Sequence, residues 1–126
     1  MGKTVFLISN EEFIPLIQNV AAEFPGVVDE VRYQDPHLSP AESAGKYIEG
    51  GADIIIARGY QALDIRAGCS VPLVELRMTG QEIASLIVKA KAMCSMPHPR
   101  IYLLGAPNMY GDISEFGRIF DVELTQ

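Results

Sequence analysis

The run Ile54-Ile55-Ile56, set between Gly50-Gly51 and Arg58-Gly59, constrains the fold more than any other stretch of the chain. Consecutive β-branched residues behind a glycine break favour a short, fully buried strand, and strands buried on both faces belong to parallel sheets. The strand runs directly into an arginine and a glycine, so it ends by presenting a cation. Ligands of open α/β sheets bind in the crevice beyond the carboxyl ends of the strands, which makes Arg58-Gly59 a candidate anion clamp. Arg58 offers a planar fork of donors suited to a carboxylate or phosphate, and Gly59 allows a positive-φ turn or a close approach of backbone to ligand. The competing reading is purely structural: Arg58 pairs with a carboxylate such as Asp64 or Glu75, and Gly59 only turns the chain.

The rest of the chain repeats a strand-then-helix alternation. Thr4 to Ile8 reads as a first buried strand, and Ser9 or Asn10 can cap a helix begun by Glu11 and Glu12. Phe13, Leu16, Ile17, Val20, Ala21 and Phe24 then recur at helical spacing, an inward-facing stripe that Pro25-Gly26 terminates. A second strand is expected over Val27 to Tyr33, a helix over Pro40 to Glu49 capped by Ser39, and a third strand over Ile54 to Ala57. A short helix over Gln61 to Ala67, closed by Gly68, precedes a fourth strand over Pro72 to Leu76. Thr79 with Glu82 forms a capping box for a helix carrying Ile83, Leu86, Ile87 and Ala90. After the proline-marked hinge Met96-Pro97-His98-Pro99 come a fifth strand over Arg100 to Leu104, a loop over Gly105 to Gly111, a short helix over Asp112 to Ile119 and a sixth strand over Asp121 to Leu124. This spacing predicts right-handed crossovers and a doubly wound α/β fold: a mostly parallel sheet with helices on both faces.

Composition narrows the function. A length of 126 residues suits one ordinary domain, and a hydrophobic share of 48% with 21% charged residues is that of a globular chain. The net charge of −6 argues against this chain gripping nucleic acid, which needs a concentrated basic face. The opening Met-Gly-Lys-Thr-Val-Phe-Leu-Ile reads as a strand rather than a signal peptide, and no apolar run reaches the roughly 20 residues of a membrane span, so a cytoplasmic location without membrane contact is expected. Cys69 and Cys94 read as reduced, packed thiols. No cofactor and no metal are expected: no Gly-x-Gly-x-x-Gly fingerprint follows the first strand, and Cys94 with His98 offers too few ligands for zinc.

The run Gly-Ala-Asp-Ile-Ile-Ile-Ala-Arg-Gly, followed over Val71 to Gly80 by Val-Pro-Leu-Val-Glu-Leu-Arg-Met-Thr-Gly, resembles the amino-terminal sensor domain of the propionate catabolism activator family, bacterial sigma-54-dependent transcription activators. The resemblance spans residues 4 to 108 and is strongest over 50 to 90. It implies a flavodoxin-like or periplasmic-binding-protein-like lobe over 1–96, with a hinge and partial second lobe or swapped extension over 97–126. The family places an ATPase domain and a helix-turn-helix domain after the sensor, and neither a G-x-x-x-x-G-K-[ST] loop nor a basic helical region occurs here. The chain is thus expected to be a piece of a longer activator or a stand-alone relative, and a homo-oligomer, since a shortened lobe exposes sheet edges and apolar faces. The family commonly has Ala-Arg-Gly-Gly-Thr-Ala at the turn, where this chain has Ala-Arg-Gly-Tyr-Gln-Ala. Arg58, Gly59 and Ala62 therefore carry over, while Tyr60 and Gln61 should alter what fits from the tricarboxylate associated with the family.

In a parallel sheet the loops after each strand converge on one edge, which gathers Ser9 and Asn10, Tyr33 to Asp35, Arg58 to Gln61, Arg77 to Gly80 and Gly105 to Asn108. The candidate ligand-binding residues are Arg58, Gly59, Tyr60, Gln61, Ser9, Asn10, Thr79, Gly80 and Asn108, with a small organic anion, carboxylate or phosphate, as ligand. Capping alone also explains Ser9, Asn10 and Thr79. The first functional reading is a ligand-sensing regulatory domain controlling an attached ATPase. The second is a small α/β enzyme using Glu75 or Asp35 as acid and base, and the third a module for protein interaction.

Overall fold

A computed structural model of the chain describes residues 2–126 and groups them into two compact units, one ending at Leu76 and the other comprising Arg77–Gln126. In the first unit the strands β1 (Lys3–Ile8), β2 (Glu30–Tyr33), β3 (Ala52–Arg58) and β4 (Leu73–Leu76) form one sheet in the order β2-β1-β3-β4. Every pairing is parallel, more uniform than the mostly parallel sheet expected. With helices α1 (Ile14–Glu23), α2 (Pro40–Glu49) and α3 (Gly59–Gly68) flanking the sheet, the fold is α/β and consistent with a flavodoxin-like arrangement.

One sheet face is tightly covered. Val5 and Leu7 of β1 and Ile55 and Ala57 of β3 are buried against Ala44 of α2 and Ala62 and Ile65 of α3. The two helices meet closely enough that a Cβ on Gly68 would lie 2.6 Å from Ala41 Cβ. Side chains fasten the same junction: Asp64 accepts from the Ala41 N–H at 3.0 Å, and the Cys69 thiol donates to the Ala41 carbonyl at 3.4 Å. Ser39 caps α2 as the sequence predicts, and Glu42 completes a reciprocal capping box.

The other face is loosely covered. A single turn of 3-10 helix, Glu11–Phe13, precedes α1, with the Asn10 side chain accepting from the Glu12 N–H at 3.1 Å. The apolar stripe expected to face inward does so only in part. No α1 residue is fully buried, and Leu16, Val20 and Phe24 remain 57%, 47% and 58% exposed. The half-buried positions are Ile14, Ile17 and Ala21, and beneath them lies an apolar cavity of about 230 Å³ lined by Phe6, Ile17, Val20 and Phe24. α1 thus bridges a gap rather than filling it. The second strand is also shorter than expected. Gly26 turns at φ 86°, Val27 is 61% exposed, and pairing begins only after Asp29, whose carboxylate accepts from the Thr4 N–H at 2.7 Å.

The strand-to-helix junction after β3 is abrupt. Arg58 is still extended at φ −139° while Gly59, already in α3, sits at φ 59°. Glycine occupies that left-handed conformation at no steric cost, unlike most residues.

The second unit has its own core. Helix α4 (Gly80–Ala92), capped by the Thr79 and Glu82 box, packs Ile83 and Ile87 against Tyr110 and Val122. Strands β5 (Arg100–Tyr102) and β6 (Glu123–Thr125) pair in parallel, joined through α5 (Ser114–Phe120). Asp121 ends α5 in the left-handed conformation at φ 54°, and the Lys91 ammonium donates to the Phe120 carbonyl at 2.6 Å.

Gly68→Ala is expected to destabilise the first unit by about 1–3 kcal/mol because the new methyl overlaps Ala41. Gly45→Ala, inside α2 with nothing within 4 Å of the added Cβ, is expected to stabilise it by about 0.5–1 kcal/mol. Urea melts of the two variants, compared at equal m-values, check the pair. Gly59→Ala should cost about 1–2 kcal/mol from backbone strain, measured in the same way.

Candidate functional site

The loose packing of α1 leaves a second opening at the carboxyl ends of the strands. It is a pocket of about 150 Å³ between β1, the 3-10 turn, α1 and the β3-to-α3 junction. Its walls are mainly apolar, from Phe6, Ile8, Phe13, Leu16, Ile17 and Leu76, and its polar groups come from Ser9, Asn10, Arg58 and Gln61.

The elements fix each polar group differently. Arg58 is the last residue of β3 and the N-cap of α3, so its side chain leaves the sheet where the helix's partial positive charge also points. Its guanidinium lies over the Phe13 ring, 5.3 Å from the centroid. Among the described residues no carboxylate pairs with it, because the two candidates are engaged elsewhere: Asp64 holds the Ala41 N–H, and Glu75 is bridged by Arg66. Gln61, in the first turn of α3, is only 6% exposed. Its Nε2 donates to Gln34 Oε1 at 2.9 Å, while its own buried Oε1 has no hydrogen-bond partner among the described residues.

Of the residues expected at the site, the structure brings Ser9, Asn10, Arg58 and Gln61 to one pocket. Asn10 is also spent as a cap, as the structural reading of that residue expects. Gly59 is buried and shapes the junction without lining the pocket, and Tyr60 is 67% exposed and does not line it either. Thr79, Gly80 and Asn108 belong to the Arg77–Gln126 unit, where the Thr79 hydroxyl caps α4. Phe13 and Leu76 are wall residues that periodicity alone assigns to helix stripe and strand. Their role was hidden because it depends on the 3-10 turn and on where β4 stops.

Groups for nucleophilic or metal chemistry are poorly disposed. Burial, and then the nearby Asp64, push the Cys69 thiol up from its ordinary value, the reverse of an activated nucleophile. Among the described residues no three His, Cys, Asp or Glu side chains gather as metal ligands, and His98 Nδ1 instead contacts Asp121 at 2.9 Å. Among the same residues no helix is long and apolar enough to cross a membrane.

No curated protein matches the chain. Residues 37–126, by contrast, match the family model described as propionate catabolism activator, a span that holds Arg58, Gly59, Gln61 and Leu76 and continues past the point where the visible motifs fade. The chain therefore belongs to the amino-terminal domain family of the propionate catabolism activators, whose members are regulatory sensor domains.

Proposed function

We propose that this chain is the ligand-sensing part of a sigma-54-dependent transcription activator, that it binds a small organic anion in the pocket at the ends of β1 and β3, and that occupancy controls an attached ATPase domain. The observation that carries this reading is the Arg58 guanidinium. It has no carboxylate partner among the described residues, is held over Phe13, and stands at the mouth of an apolar pocket. A cation placed so, with little water competing on the apolar side, attracts an anion more strongly than a fully solvated one does.

The signal follows from the weak seating of α1. An equilibrium shifts only when the ligand binds one arrangement better than another. A ligand lodged between Phe13 and Leu16 on one side and Phe6 and Ile8 on the other contacts both α1 and the sheet, so it favours the arrangement in which α1 is drawn down. The enzyme reading finds less support, because Glu75 is committed to Arg66 and the Asp35 carboxylate accepts from the His37 N–H at 2.9 Å.

A thermal-shift screen of small mono-, di- and tricarboxylates on the wild type and on Arg58→Ala tests the binding reading. A ligand at a hundred times its dissociation constant should stabilise the wild type by about 2.7 kcal/mol, with the gain lost in the variant. Hydrogen exchange on the same complex is expected to slow at the amides of residues 11–24; unchanged exchange there with saturated binding would refute the role of α1. Cys69 should alkylate with iodoacetamide more slowly than a free cysteine at neutral pH, since burial disfavours its thiolate. Fast, selective alkylation would revive the enzyme reading.

A further inference from the structure

We propose that the half of the sheet left bare by α1 docks a second copy of this chain, each copy laying its α1 over the open half of the other's sheet. The proposal is independent of the anion reading, and its test uses no ligand.

The register of the sheet marks where its cover stops. Val5, Leu7, Ile55 and Ala57 face α2 and α3, so by alternation Phe6, Ile54 and Ile56 face the α1 side. Phe6 pairs with Ile56 and Ile56 with Val74, which puts the three in one row across β1, β3 and β4. α1 runs nearest β2, and Phe6 lines the cavity beneath Ile17 and Val20. Away from α1 the row opens: Phe6 and Ile56 are half-buried, Val74 is 48% exposed, and Leu76, next on the same face, is 39% exposed. Parallel sheets are apolar on both faces because both are ordinarily covered, and over β4 that cover is missing.

α1 itself is short of burial. Ten residues with a proline in the first turn, no side-chain cap and no fully buried side chain make a helix that depends on packing for its stability. Leu16, Val20 and Phe24 lie four residues apart and form a ridge along its flank that is about half exposed.

A ridge beside an open trough on one molecule is complementary to itself about a two-fold axis, the commonest symmetry of protein dimers. The ridge of each copy then enters the trough of the other. Charge permits this pairing, because from Phe13 to Ala22 the chain carries no charged side chain and nothing at the centre of the contact repels its own copy. The same lack of Lys and Arg argues against a lipid surface, which interfacial helices grip with basic residues. At roughly 200 Å² for a whole large apolar residue, the exposed parts of Leu16, Val20, Phe24, Val27, Val74 and Leu76 offer on the order of 600 Å² per copy. Two copies together reach about 1,200 Å², the lower end of the standard size for a specific interface.

Sedimentation velocity of the whole chain over roughly 1–500 μM, on the wild type and on Val20→Glu and Val74→Glu, tests the proposal. The wild type should dimerise, and its dissociation constant should rise at least about tenfold in each variant, since each buries an unpaired carboxylate in the contact. The surplus of acidic over basic side chains falls in the first unit, so raising the salt from about 50 to 500 mM should tighten the wild-type dimer by screening repulsion. A monomer at every concentration overturns the proposal, as does a dimer that both variants leave intact or that salt weakens. Should the variants not fold, hydrogen exchange on the unaltered chain decides: the amides of residues 13–24 should slow as protein concentration rises, and exchange there that ignores concentration overturns the proposal.

Discussion

A parallel sheet has no face that can be left to water, and in the first unit its two faces are covered unequally. On one, α2 and α3 press together until only a glycine fits at position 68 against Ala41, and the strand residues beneath them are excluded from solvent. On the other, α1 lies over two apolar hollows and buries none of its own side chains completely. Packing at crystal-like density is what makes a core rigid, and its absence leaves room for a ligand and for movement. The firm face holds the strand ends in place, and the loose face supplies one wall of the pocket.

The junction of β3 with α3 joins these two regimes. Gly59 turns the chain within one residue from an extended to a helical path, so Arg58 stays at the end of the strand while Gln61 falls in the first helical turn, and both reach the same pocket. They sit in different surroundings. The arginine is exposed, whereas the glutamine is buried.

Much of this was legible beforehand where a local rule decides the outcome. Ser39, and Thr79 with Glu82, mark their helix starts because a cap is satisfied within four residues. The Ile54 to Ile56 run marks β3, with Arg58 as its last residue, because parallel strands deliver their ends to one edge. The stripe of α1 misled for the complementary reason. Periodicity reports which side of a helix is apolar, not whether the surface opposite is wide enough to receive it, and Leu16, Val20 and Phe24 stay substantially exposed. The second strand was overextended because β-branched Val27 and Val28 carry strand propensity, while Asp29, bonded to Thr4, decides where pairing starts.

By itself the sequence determined the α/β class, the order of strands and helices, the helix caps, the cation at the end of β3 and the family, since each rests on short-range periodicity, capping chemistry or a contiguous motif. Only the tertiary structure decided that Arg58 escapes Asp64 and Glu75, that Phe13 supports it, and that Gln61 is buried with an acceptor to spare. Those outcomes turn on which of several partners reaches a side chain first. That competition between residues far apart in sequence is settled by packing, and no local pattern records it.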